Sequence, residues 1–101
     1  MLAYVKNFHD KLKDAETASP ITIEQLSNST LKVVRLDGDY PFHSHENSDE
    51  TFIIIEGELF MDRENLPTLN LKSGDVLTIP KGLKHRTRTK IMSKVLLLGP
   101  K

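Results

Sequence analysis

PFHSHENSDETFIIIEGELF, residues 41–60, runs from a histidine pair through a polar loop into a β-branched apolar segment and then a glycine. His43 and His45 are two positions apart, and on an extended strand such residues point to the same face. Their Cα atoms then lie about 6.6 Å apart, close enough for both imidazoles to reach one ion. Glu50 follows the loop Glu46–Asp49 and opens the run Thr51–Ile55, whose β-branched residues favour a strand. A hairpin there returns the Glu50 carboxylate to the histidines. Taken alone, His-x-His more often describes surface or core histidines than metal ligands.

Outward from this segment the pattern stays β. Ile21–Leu26 and Leu31–Leu36 read as strands on the N-terminal side, and Phe42–His45 as a short extended piece. Further on, Leu59–Met61, Leu69–Leu71, Val76–Ile79, His85–Thr89 and Lys94–Leu98 follow. Turn-forming runs separate them at Ser27–Thr30, Asp37–Asp39, Asp62–Pro67, Ser73–Asp75 and Pro80–Gly82. About eight short strands at regular spacing predict an all-β sandwich or barrel. The first 20 residues are less definite. Val5, Phe8, Leu12 and Ala15 fall at helical spacing and Pro20 would end a helix. A short amphipathic helix and an extended arm lying on the barrel fit this segment equally.

His85 stands at the start of a later strand, after the turn Pro80-Lys81-Gly82. Three imidazoles and one carboxylate suit a borderline divalent ion such as iron, nickel, manganese or zinc. Gly38, His43, His45, Glu50 and Gly57 resemble the first motif of the cupin superfamily, G-x5-H-x-H-x3,4-E-x6-G, with one residue fewer between Gly38 and His43. Gly74, Pro80, Gly82 and His85 resemble the second, G-x5-P-x-G-x2-H-x3-N, with Thr89 in place of the final Asn. The segment Asn47–Leu59 is similar to the compact single-domain cupins in particular. The resemblance implies a double-stranded β-helix, or jelly-roll barrel. It also implies one divalent transition metal held by His43, His45, Glu50 and His85. The motif glycines allow backbone turns of positive φ, and Pro80 fixes the entry to the turn that aims His85.

Composition narrows the function classes. A chain of 101 residues fits one domain, residues 1–101, with one real core. There is no cysteine, so disulfides and thiolate ligands are excluded. Fourteen basic and 14 acidic residues balance, against the basic excess expected of a nucleic-acid-binding module. No apolar run is long enough for a membrane span and Met1–Lys6 does not open a signal peptide, so a cytoplasmic protein is expected. Alternation along His85–Thr89 points Thr87 and Thr89 inward with His85 and leaves Arg86, Arg88 and Lys90 to solvent. Tyr40, Phe42, Phe52 and Ile54 are the candidate walls of a substrate pocket, and Asp49 points away from the metal. The expected activity is that of a metal-dependent enzyme, a dioxygenase or an isomerase or lyase, on a small oxygen-rich or anionic molecule. A non-catalytic metal-dependent binder of a sugar or small acid is the alternative. A small-molecule ligand and a homodimer are the expected partners.

Overall fold

A computed structural model describes residues 3–101. One short helix, α1 (Phe8–Leu12), precedes eight strands: β1 (Ile21–Gln25), β2 (Ser29–Leu36), β3 (Glu50–Glu56), β4 (Glu58–Arg63), β5 (Leu66–Lys72), β6 (Val76–Ile79), β7 (His85–Arg88) and β8 (Ser93–Pro100). They form a five-stranded sheet in the order β1-β2-β8-β3-β6 and a three-stranded sheet in the order β5-β4-β7. All the pairings are antiparallel. The two sheets face each other as the halves of a double-stranded β-helix. Val34, Phe52, Ile54 and Val95 from one sheet meet Leu59, Met61 and Leu71 from the other. Phe52 and Ile54, like Leu59 and Met61, recur at every second position, the period-two signature of side chains on one face of a strand. Among the described residues no helix is long and apolar enough to cross a membrane.

Gly57 joins β3 to β4 at a φ of 93°. A Cβ there would lie 2.3 Å from Ser93 Oγ and 2.8 Å from Ser93 Cα. Ser93 is completely buried, and its hydroxyl exchanges hydrogen bonds of 3.1 Å with the backbone N–H and carbonyl of Glu58. This contact closes the end of the barrel next to the start of β8.

Three sequence readings change in detail. Phe42–His45 forms no ladder: His43 makes an isolated bridge to His85, with two backbone hydrogen bonds of 2.9 Å. The expected loop Asp62–Pro67 shrinks to a tight turn at Glu64-Asn65, with Asn65 at a φ of 59°. Pro67 sits inside β5, which tolerates it because β5 is an edge strand. Asp62 belongs to β4 and is nearly buried. Arg86 Nε donates to its carboxylate at 2.8 Å, Arg88 Nε at 2.6 Å and the Thr68 hydroxyl at 2.6 Å. Arg86 and Arg88 do face away from the barrel interior, yet they are clamped rather than free in solvent. The Arg88 guanidinium first, then the Thr68 hydroxyl and Arg86, hold the Asp62 carboxyl well below the usual carboxylate range.

The N-terminal segment is both helix and arm. Asn7 caps α1 by accepting the Asp10 N–H at 3.1 Å. Of the helically spaced residues only Leu12 is buried, while Val5 is fully exposed. The helix packs on the outer face of β2, where Arg35 donates to the carbonyls of Leu12 at 2.8 Å and Ala15 at 2.7 Å. Residues 13–20 then run back over the barrel. Ala18, at a φ of 65°, donates its N–H to the Arg35 carbonyl at 2.8 Å.

Candidate metal centre

Each of the four candidate ligands is placed by a different piece of backbone. His43 is fixed by its paired hydrogen bonds to His85 at the head of β7. His45 follows two residues later, its carbonyl accepting the Gly82 N–H at 2.7 Å. Glu50 is the first residue of β3 and pairs with Ile79 of β6. Asp49 points away from the cluster, as alternation requires, and its carboxylate accepts the Lys81 N–H at 2.9 Å. The two turns that carry the ligands are thus bonded to each other.

The four side chains converge. One donor atom from each of His43, His45, Glu50 and His85 lies within 4.8 Å of the others. Ring centroids are 4.4 Å apart for His43 and His85 and 5.1 Å for His43 and His45. His43 is exposed, His45 and Glu50 are half-buried, and His85 is completely buried. His43 Nδ1 lies 3.2 Å from the Pro41 carbonyl and His85 Nδ1 lies 2.8 Å from the Leu83 carbonyl. Each carbonyl accepts an Nδ1–H, which fixes the tautomer and leaves Nε2 as a lone-pair donor. Burial pushes the His85 imidazole below the usual histidine range, with the Leu83 carbonyl opposing that shift. The neutral form is the one that ligates a metal.

Among the described residues, His45 Nε2 and His85 Nε2 are buried without a hydrogen-bond partner. Glu50 Oε1 is 3.4 Å from His45 Nε2, close enough for ion pairing but outside hydrogen-bond geometry. Two orphaned imidazole nitrogens beside a half-buried carboxylate are costly unless something between them accepts their lone pairs. A divalent cation is the group that this donor set fits.

A cavity of about 370 Å³ opens onto the cluster, with His43, His45 and Glu50 in its wall. The rest of the wall is mainly apolar and includes Val34, Leu36, Phe52 and Leu97, with Ala18 and Pro20 of the arm over the top. Of the four expected wall residues, Tyr40 and Phe52 are present and Phe42 and Ile54 are absent. Phe42 neighbours an inward-facing histidine, so it points outward, 42% exposed, beneath the Arg86 guanidinium. Ile54 faces inward but lies deeper, sealed in the core. The Tyr40 hydroxyl is turned to the backbone of Asp37, donating to its carbonyl at 3.2 Å and accepting its N–H at 3.0 Å. Lys32, Ala18 and Pro20 belong to the surroundings of the site and escaped the sequence reading.

A sequence model of the cupin domain matches residues 32–96. The chain belongs to the cupin domain family. Its relatives include the uncharacterized protein YdbB of Bacillus subtilis, 39% identical over 74 residues, which are 73% of this cupin and 66% of YdbB. A cupin-2 domain protein of Shewanella frigidimarina, 31% identical, superposes with a TM-score of 0.90 over 96% of this chain and 95% of its own. The DMSP lyase DddQ of Ruegeria pomeroyi, 32% identical, superposes with a TM-score of 0.67 over 75% of this chain and 40% of DddQ. The matched stretch is thus just under two thirds of YdbB, and only 30% of the Prunus persica auxin-binding protein ABP19b.

Proposed function

We propose that this cupin binds one divalent transition metal through His43, His45, Glu50 and His85 and uses it to bind, and act on, a small oxygen-rich or anionic molecule. The observation that carries the reading is the convergence of two buried, unpartnered Nε2 atoms with the Glu50 carboxylate at the wall of a largely apolar cavity. A bound ion of this class supplies Lewis acidity, and iron adds access to dioxygen chemistry. The chain's own residues orient and exclude water. The Pro41 and Leu83 carbonyls hold two imidazoles in register, and Phe52 and Leu97 keep the ligand's surroundings dry, which strengthens every charge interaction there. The reaction is of dioxygenase, isomerase or lyase type. Likeness to a DMSP lyase supports the lyase member of that set.

A non-catalytic binder is the second reading, and one observation favours it. Apart from the ligands themselves, Tyr40 is the only titratable residue among the described residues that line this cavity, and its hydroxyl is engaged with Asp37. Glu56 is exposed and pairs with Lys94 at 3.1 Å, away from the site. The protein is further proposed to be a homodimer that covers β1, the exposed end strand of the larger sheet.

The test is elemental analysis followed by calorimetry with a small 2-oxo acid or 1,2-diketone. Protein reconstituted with iron, nickel, manganese or zinc should hold close to one equivalent and bind the chelator only when loaded. Equal binding to the loaded and metal-free forms would refute the metal-centred reading. Product screening of the loaded forms, aerobic and anaerobic, separates an enzyme from a binder.

A further inference from the structure

On β2 the side chains of Thr30, Lys32, Val34 and Leu36 share one face, and Val33 and Arg35 lie on the other, beneath α1. Val34 and Leu36 belong to the core and Thr30 is 4% exposed, so this face turns toward the barrel interior, with Lys32 as its solvent-exposed member. Lys32 is the only charged residue on it. Its side chain lines a second cavity of about 200 Å³, together with Thr30, His45, Glu50 and Leu97. The two cavities share Pro20, His45, Glu50 and Leu97 and therefore meet at the ligand cluster from two sides. One chamber is mainly apolar and the other carries an ammonium group. Among the described residues no carboxylate lies within ion-pair distance of Lys32.

We propose that Lys32 is the anchor for a carboxylate, and that the ligand class is a small carboxylic acid with an apolar body. This rests on the metal-centred reading above. The acid's oxygen donors lie beside His45 and Glu50, its carboxylate turns toward Lys32, and its body fills the chamber walled by Phe52, Val34 and Leu97. The charges agree with this assignment. A divalent ion and the Glu50 carboxylate leave one net positive charge, and Lys32 adds a second on the side away from the apolar wall. A leucine at position 32 would merely have extended the apolar face of β2. A lysine brings a compact point charge with three donors, which suits a monodentate hold on one carboxylate oxygen.

The experiment compares two probes of similar shape, phenylpyruvate and 1-phenyl-1,2-propanedione, on the zinc- or nickel-loaded protein. Calorimetry is run on the wild type, Lys32→Met and Lys32→Arg, with metal content measured on each. Lys32→Met should keep its metal and its affinity for the dione while losing about fivefold in affinity for phenylpyruvate, the scale of a solvent-facing ion pair. Lys32→Arg should retain the preference for the acid, and added salt should erode it in the wild type. Equal phenylpyruvate affinity in wild type and Lys32→Met, with the dione still bound, would overturn the role of Lys32 and leave the metal-centred reading intact. Failure of both probes to bind any fully loaded form would overturn both.

Discussion

Replacing His45 by alanine separates the metal from the fold. The His45 side chain is 40% exposed and its ring touches chiefly the other ligands, so without metal its loss removes little packing. Substitutions of that kind change stability by no more than about 0.5 kcal/mol. A metal present at a hundred times its dissociation constant stabilises the wild type by about 2.7 kcal/mol. For a domain of this size that is a rise in Tm of roughly 10–20 °C. Thermal unfolding followed by circular dichroism, once in chelator and once with zinc or nickel, measures both quantities. His45→Ala should melt within about 3 °C of the wild type in chelator and lose most of the metal-dependent rise. His85→Ala is a poorer probe: the residue is fully buried, so its removal leaves a cavity that costs about 2–4 kcal/mol with or without metal. A His45→Ala protein that keeps the full metal-dependent rise would refute the assignment of His45 as a ligand. A wild type without any rise would refute the centre itself.

Gly57→Ala should destabilise the protein by about 2–4 kcal/mol, since it combines a strained positive φ with a Cβ driven into Ser93; denaturant titration reads this as a lower midpoint at unchanged slope. Asp62→Asn should cost about 2 kcal/mol near neutral pH, the scale of a charge-assisted hydrogen-bond network. Because the folded carboxyl titrates below its unfolded value, that stabilisation is complete above the ordinary aspartate range and is lost as the pH falls. The gap between wild type and Asp62→Asn should therefore narrow below about pH 4; a constant gap would deny the ion pair its role. Light scattering should give twice the chain mass of 11.5 kDa, and a monomer at every working concentration would reject the dimer.

The convergence of His43, His45, Glu50 and His85 was partly legible: His-x-His on an extended segment, Glu50 at the opening of the next strand and a Pro-Gly turn before His85 were readable locally, and the resemblance to the two cupin motifs joined them into one candidate set. Phe42 could have been placed correctly by the same alternation, since a residue next to an inward histidine points outward. Lys32 was also readable, being in phase with Val34 and Leu36, but nothing local says that this phase meets the cluster. Asp62 was not readable. Its burial depends on Arg86 and Arg88 arriving from β7, more than 20 residues further on, and single-sequence patterns carry no cross-strand partner. The arm was half legible. A period of 3.6 suggested helix at Val5 and Ala15, but the helix ends at Leu12, whose carbonyl accepts the Ala15 N–H at 3.0 Å and the Arg35 guanidinium at 2.8 Å.

Ala18 and Pro20 roof the larger cavity, yet they come from outside residues 32–96, the stretch that defines the family. The ligand cluster and the roof of the cavity beside it are therefore built by different parts of the chain. The candidate ligands His43, Glu50 and His85 sit on backbone hydrogen-bonded into the barrel. The size and shape of what may sit beside them are set partly by a strap fastened from outside through one arginine. Altering that strap would reshape the cavity while leaving the cluster of His43, His45, Glu50 and His85 in place.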